Sequence, residues 1–267
     1  MEVLLTVLFA LLGASVGSFL NVCIDRLPQG NSIIGPPSHC DSCQRRLSPV
    51  DLIPIFSYLW LRGKCRYCQA RIPLRPLLTE IATGFLFALA YITFNLTVRL
   101  PIALVYSGLF IVIGIIDLEH GLILNRITFP AAIAVIIIDF FAPPPTLIQV
   151  QPPWTGLVNG LLGAIIGAVF ILIPYLSSLV IYKKEAMGQG DVKLAALIGL
   201  VVGARLVLVS LLIGVLLGGL VAVGLLVFRA RGRKDLLPFG SFLAVSTIIT
   251  VFYGTAILNW YLGWYGF

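Results

Sequence analysis

Apolar runs of eighteen or more residues recur along this chain of 267 residues, and they restrict its fold more than any other feature. Roughly 20 apolar residues in a helix cross the hydrocarbon of a bilayer. In that solvent every backbone N–H and C=O must be bonded within the protein, so successive runs of this kind form helices. Composition agrees: 59% of residues are hydrophobic and 11% charged, against about 25% charged in a soluble domain. Mean hydropathy is +1.04. The runs read as eight helical passes, 3–24, 77–97, 101–117, 126–141, 156–182, 191–203, 205–228 and 239–264. The sixth is short, and a half-buried helix is the alternative to a full crossing. The first has no basic residues ahead of it and a basic loop behind it, so it is expected to be kept and not removed as a signal peptide.

Charge orients these passes. Eight of the 18 Lys and Arg lie in the loop 25–76. Arg126, Lys183, Lys184 and Lys193 flank later segments, and Arg229, Arg231, Arg233 and Lys234 form a further cluster. With eight passes all of these fall on one side, leaving Arg99 and Arg205 opposite, and the positive-inside rule makes the basic side cytoplasmic. The uncharged, proline-rich loop 142–155 then lies outside, as do both termini. The net charge of +7 thus reflects topology and anionic lipid headgroups. No module that interleaves aromatic and basic residues accompanies it, so nucleic acid is not an expected partner; the lipid bilayer is.

Two aspartates stand at apolar segments: Asp117 in Gly114-Ile115-Ile116-Asp117, and Asp191 in Gly188-Gln189-Gly190-Asp191. A carboxylate beside hydrocarbon is costly to ionise. The topology puts both at the cytoplasmic boundary, Asp117 ending one pass inward and Asp191 opening another outward. Two carboxyls brought together can share a proton, one taking a proton from water while the other gives one to a substrate carbonyl. The bland reading of each is a helix cap or a snorkelling side chain, and Asp191, following Gly190, suits a cap. Gly188 and Gly190 shift that balance, because glycine allows an extended substrate backbone to approach closely. Glu185 and Lys193 are possible auxiliaries, Lys193 either tuning the local field or anchoring to lipid phosphate. Asp139 reads as an ordinary interfacial residue near the outer end of its pass. No Ser-His-Asp set, H-E-x-x-H or phosphate-binding loop is evident.

Cys40-Asp41-Ser42-Cys43 and Cys65-Arg66-Tyr67-Cys68 are two C-x2-C pairs separated by 21 residues. Such pairs complete a four-thiolate site of the kind that holds structural zinc, with no open position for catalysis. A pair of disulfides is the alternative, which a reducing cytoplasm disfavours. The segment 36–72 is too short for a core of its own, and a metal compensates for that. His39 could replace a ligand or be a solvated neighbour. Cys23, within an apolar run, reads as packing. The expected fold is therefore all-α, a polytopic membrane helical bundle of about eight helices with a small cytoplasmic zinc-ribbon-like loop. The expected divisions are a first helix at 1–24, the tetracysteine loop at 25–76 and a transmembrane peptidase core at 77–267.

These residues resemble those of bacterial type IV prepilin peptidases, the bifunctional leader peptidase and N-methyltransferase enzymes, nearly end to end. Gly17-Ser18-Phe19-Leu20-Asn21-Val22 with Arg26-Leu27-Pro28 looks like the family's opening signature. The C-x2-C pairs fall where the family has its tetracysteine loop. Arg75-Pro76-Leu77-Leu78-Thr79-Glu80, Asp117, the segment 185–193 and Pro238-Phe239-Gly240-Ser241 match in turn. Leu124 and Ser241 stand where proline is usual.

The resemblance implies cleavage of prepilins or pseudopilins after a glycine, at the cytoplasmic face of the bacterial inner membrane, by Asp117 and Asp191. It also implies methylation of the new N-terminus with S-adenosylmethionine. For that step Glu80 is the first candidate for a carboxylate facing the donor's sulfonium and Asp25 the second. Asn21 would orient the substrate amine and Arg75 would bind the donor's carboxylate. Pairing of Glu80 with a nearby arginine is the alternative. Three rival functions remain: a peptidase without methyl transfer, a proton-coupled transporter, and an assembly scaffold that docks through the zinc loop.

Overall fold

The computed structural model describes residues 2–141, 154–182, 188–228 and 237–264. Among the described residues eight helices form in chain order: α1 (Glu2–Arg26), α2 (Phe56–Trp60), α3 (Arg75–Phe94), α4 (Arg99–His120), α5 (Asn125–Phe141), α6 (Trp154–Tyr182), α7 (Gln189–Val227) and α8 (Phe239–Trp264). A 3-10 turn, Pro49–Leu52, precedes α2. No β-strand forms among the described residues; the loop has two isolated bridges, His39 with Arg46 and Lys64 with Arg71. Among the described residues six helices, α1, α3, α4, α6, α7 and α8, are long and apolar enough to cross a membrane. The helical reading of the apolar runs holds throughout. The uncharged loop 142–155 lies mostly outside the described residues.

The structure divides into two compact units, Met1–Val112 and Ile113–Phe267. In the first, α1 packs along α3. Hydrocarbon offers no hydrophobic drive for such pairing, so close backbone approach supplies it, and small residues permit that approach. Gly13 and Gly17 are those residues on α1. A methyl on Gly13 would lie 2.7 Å from Phe87 Cβ, and one on Gly17 would lie 2.8 Å from Glu80 Cα. The glycine of the opening signature is therefore a contact point for α3.

In the second unit α7 packs against α6 and α8, and α5 lies against α6 and α7. At 1.5 Å per residue the 39 residues of α7 would extend about 58 Å as a straight rod, nearly twice the ~30 Å of hydrocarbon. The helix breaks at Gly203, which stands at φ +77°, a conformation open to glycine at little cost. The amide of Ala204 donates instead to Asn159 Oδ1 on α6, at 3.2 Å. The break falls between the sequence segments 191–203 and 205–228. Glycines again allow the contact: methyls on Gly163 or Gly167 of α6, or on Gly199 of α7, would collide with the opposing backbone.

Asp139 corrects the sequence reading. It is 2% exposed, enclosed by protein and not the ordinary solvated side chain the sequence suggests, and its Oδ2 has no hydrogen-bond partner. A methyl on Gly160 would lie 2.5 Å from that oxygen and 3.3 Å from the Leu200 carbonyl. The neighbours that enclose Asp139 come from α6 and α7, far along the chain.

Candidate active site and metal centre

Asp117 lies on α4, one turn before its end at His120, and is buried. The start of α8 comes to meet it. Ser241 donates its backbone N–H to Asp117 Oδ2 at 2.7 Å. Its hydroxyl is 3.0 Å from the same oxygen and 3.1 Å from the Gly114 carbonyl, so its single proton serves one at a time. The amide is one of those that open a helix with no intrahelical partner, and it carries the positive end of the helix dipole. Gly240 makes the approach possible: a Cβ there would lie 2.9 Å from Asp117 Cγ.

Asp191 lies in the first turn of α7 and is likewise buried. Gly188, extended at φ −75° and ψ 142°, caps that helix, and a backbone hydrogen bond links Gly188 to the Asp191 carboxylate. Asp117 and Asp191 are near enough for their charges to repel. Ile123 lies between the segments that carry them: a methyl on Gly190 would sit 3.0 Å from its Cβ, and one on Gly240 3.1 Å from its Cδ1. Gly190 thus lies against Ile123, and Gly188 is exposed beside Asp191. Lys193 is exposed and donates to Asn125 Oδ1 at 3.0 Å. Glu185 lies outside the described residues.

The four cysteines converge. The Sγ atoms of Cys40, Cys43, Cys65 and Cys68 lie within 4.8 Å of one another, and Cys40 and Cys68 are 3.8 Å apart. Sulfurs at about 2.3 Å from a tetrahedral zinc stand about 3.8 Å apart, so the donor set fits that ion. All are free thiols. Each pair sits in the same knuckle. Cys40 N–H donates to Arg45 O and Gln44 N–H to Cys40 O; Cys65 N–H donates to Ala70 O and Gln69 N–H to Cys65 O. Gln44 and Gln69 both take positive φ, 56° and 59°. The repeated pattern C-x2-C-Q-x-R was present in the sequence as the signal for this internal symmetry.

The charge on these sulfurs is uneven. The amides of Cys43 and Ser42 lower the Cys40 thiol to about 6. At Cys68 the Ala70 amide acts in the same direction, yet burial and the neighbouring sulfurs raise the thiol to about 11. Four sulfurs this close cannot all ionise unless a cation stands among them. Asp51 braces the second knuckle, accepting from Arg66 Nε at 2.6 Å and from the Ser48 N–H and hydroxyl at 3.1 and 2.7 Å. Burial works to raise its carboxyl, but these donors outweigh it and hold it below the ordinary carboxylate value.

The residues singled out for methyl transfer gather in the first unit. Arg75 pairs with Asp25 and donates to Asn21 Oδ1 at 3.2 Å, while Asn21 Nδ2 donates to the Pro76 carbonyl at 3.1 Å. Glu80 is 8% exposed and its Oε2 accepts the backbone N–H of Ile55 at 2.7 Å. Its observed partner is thus a backbone amide of the loop. Ile55 stands at φ +63°, which a β-branched residue seldom adopts. Neither Ser241 nor Ile55 appears among the functional residues read from sequence. A serine at a helix start reads as a cap, and a backbone donor leaves no mark in a side-chain pattern.

Residues 11–94 match the Bacterial Peptidase A24 N-terminal domain, and residues 104–223 match the Type IV leader peptidase family. The prepilin leader peptidase/N-methyltransferase of Bacillus subtilis (strain 168) is 32% identical over 259 residues, covering 97% of this chain and 98% of that one. Proteins of the same name from Pseudomonas aeruginosa (strain PAO1) and Aeromonas salmonicida (strain A449) are 30% and 28% identical, each covering 93% of the relative. No solved structure matches the chain. The chain belongs to the type IV leader peptidase family, and it is a multi-pass membrane protein.

Proposed function

We propose that this chain removes the leader of type IV prepilins or pseudopilins as a membrane-embedded aspartyl endopeptidase, and then methylates the new N-terminus. The observation that carries the reading is the approach of Asp117 and Asp191, two buried carboxyls from helices distant in sequence, within the unit that the leader peptidase family model matches.

In the proposed reaction the two carboxyls hold a water between them and share one proton. The ionised carboxylate takes a proton from the water as its oxygen attacks the scissile carbonyl carbon, and the protonated carboxyl gives a proton to the carbonyl oxygen. Collapse of the tetrahedral species breaks the C–N bond, and the proton taken from water goes to the leaving amine. The pair titrates as a unit, so neither role is tied to one residue. Ser241 orients Asp117, and exposed Gly188 lets an extended substrate strand lie beside Asp191. Lys193 acts at that edge, and Glu185 remains an auxiliary proposed from the sequence alone. With an even number of passes, both termini lie outside the cell membrane and the basic loops inside.

S-adenosylmethionine, when bound, supplies the methyl group and carries a sulfonium, an amine and a carboxylate. Asp25, whose side chain is 55% exposed, and Arg75 offer the two charges such a donor needs. Asn21 lies beside Arg75 and can orient the substrate amine. Glu80 works by holding the loop through Ile55. Zinc at Cys40, Cys43, Cys65 and Cys68 is structural. Incubating the purified protein with a prepilin and labelled methyl donor tests the whole reading: it requires a shortened, N-methylated pilin, and an unprocessed pilin overturns it.

A further inference from the structure

We infer that the segment 49–60 of the tetracysteine loop is a bilayer-binding element, which buries the apolar face of α2 in the headgroup region of the leaflet it meets. The first observation is the face itself. Phe56, Leu59 and Trp60 stand at i, i+3 and i+4, one side of a helix, and are 63%, 61% and 84% exposed. The 3-10 turn packs against α2 and adds exposed Val50 and Leu52. An aromatic-rich apolar patch in a loop, 25–76, that is otherwise strongly charged marks an interaction surface.

The second observation sets its depth. Ile55, the residue before α2, donates its N–H to Glu80 Oε2. Glu80 lies five residues into α3, about 7.5 Å along the helix axis from Arg75. The Arg75–Asp25 ion pair ties the start of α3 to the end of α1, both membrane-spanning helices. Charged pairs of this kind sit at headgroup level. The Glu80–Ile55 bond therefore draws the start of α2 inward from that level, to the depth at which interfacial helices lodge, ~5–10 Å into the headgroup–acyl boundary.

The third observation is charge. The loop 25–76 holds eight Lys and Arg against Asp25, Asp41 and Asp51, a net charge of +5. Asp25 and Asp51 are already paired, with Arg75 and Arg66. Arg45, Arg46, Arg62, Lys64 and Arg71 share the same short loop, and an anionic leaflet attracts each of them. Tryptophan is itself a residue of the membrane interface, apolar in body and polar at its N–H. A bilayer containing anionic phospholipid is the occupant that meets all three features.

The test uses the full-length, zinc-loaded protein in vesicles of phosphatidylcholine and phosphatidylglycerol, with Trp154, Trp260 and Trp264 replaced by Phe so that Trp60 is the one emitter. Lipids brominated high on the acyl chain should quench about half of its emission, as expected for a ring at the headgroup–acyl boundary, while aqueous iodide quenches little. Glu80→Ala should reverse the pattern, with iodide quenching rising and bromolipid quenching falling; retained zinc content shows that the loop has stayed folded. Strong iodide quenching with no bromolipid effect in the parent protein means the face is in water and overturns the inference. Protection from both quenchers means a protein covers the face, a second copy or a substrate, and overturns it equally. If Glu80→Ala loses its zinc, Glu80→Gln, whose amide oxygen still accepts from Ile55, must keep the parent pattern or the depth argument fails.

Discussion

Ser241 donates its backbone N–H to Asp117 Oδ2 at 2.7 Å, joining the start of α8 to the end of α4 across 124 residues of sequence. The serine hydroxyl stands 3.0 Å from the same oxygen. Ser241→Ala keeps the amide and removes the hydroxyl. A hydrogen bond to a charged group contributes about 1.5–3 kcal/mol, and about 1.4 kcal/mol is tenfold in rate. The expected result is a kcat for prepilin cleavage lowered about tenfold or more with KM unchanged, since Ser241 acts on Asp117 and not on substrate. An unchanged kcat would remove Ser241 from the mechanism.

Gly240 should be more sensitive. An alanine methyl there would lie 2.9 Å from Asp117 Cγ and 3.0 Å from its Oδ2, so the carboxyl has to move. Misplacement of a reacting group by about 1 Å can cost about a hundredfold. Gly240→Ala is expected to lose about that much cleavage while remaining membrane-inserted, as judged by thermal melting in detergent. Full activity would show that Asp117 tolerates displacement.

The dyad reading requires both carboxyls. Asp117→Asn and Asp191→Asn keep side-chain volume and remove the proton exchange. Each should lower cleavage at least about 10²–10⁴-fold, the range that general acid–base groups contribute. Asp117→Asn should still methylate a pre-cleaved pilin supplied with donor. Substantial cleavage by either single variant refutes the mechanism.

Metal removal probes the loop. Elemental analysis should find about one zinc per chain, from the four-thiolate donor set. Cys40→Ser or a strong chelator should expose residues 36–72 to protease. The Asp51–Arg66 pair adds a dependence on pH. Its carboxyl is held below the ordinary value, so its support is complete above about pH 4, the unfolded range, and is lost as pH falls through the folded value. Asp51→Asn should therefore raise protease sensitivity of the loop at neutral pH with zinc still bound. A chain without zinc, or with a disulfide among these cysteines, refutes the metal reading.

The helices were legible because long apolar runs allow little else, and the segments 191–203 and 205–228 meet at the break that Gly203 makes. The four-cysteine cluster was legible because C-x2-C pairs are local. The hydrogen bond between Ser241 and Asp117 was not, since its main donor is a backbone amide and the serine read only as a departure from proline. The enclosure of Asp139 was not legible either, since it ends an apolar run, whereas Gly160 and Leu200, which lie beside it, come from other helices. Gly190 read as room for a substrate backbone, and its closeness to Ile123 left no mark in the sequence. Local chemistry is written in neighbouring residues; burial and close contact are decided by helices that meet from a distance.

Glu80 offers the last test, of how the loop serves methyl transfer. Its carboxylate accepts the Ile55 amide, and the Ser18 hydroxyl reaches it as well. A carboxylate that faces a sulfonium acts by charge, whereas one that anchors a loop acts by accepting hydrogen bonds. Glutamine separates these, because its amide oxygen still accepts from Ile55 while the charge is gone. With pre-cleaved pilin and labelled donor, Glu80→Gln should keep most of the methyl transfer and Glu80→Ala should lose it, both still cleaving prepilin. Leaving a buried amide without its acceptor costs about 1–3 kcal/mol, and even the lower end, for the part-buried Ile55 amide, is enough to free the loop around Ile55, which is held at φ +63°. Amide hydrogen exchange at residues 53–60 should accordingly quicken in Glu80→Ala and not in Glu80→Gln. Loss of methylation in both variants, with exchange unchanged in Glu80→Gln, would assign Glu80 to the donor's charge and not to the loop.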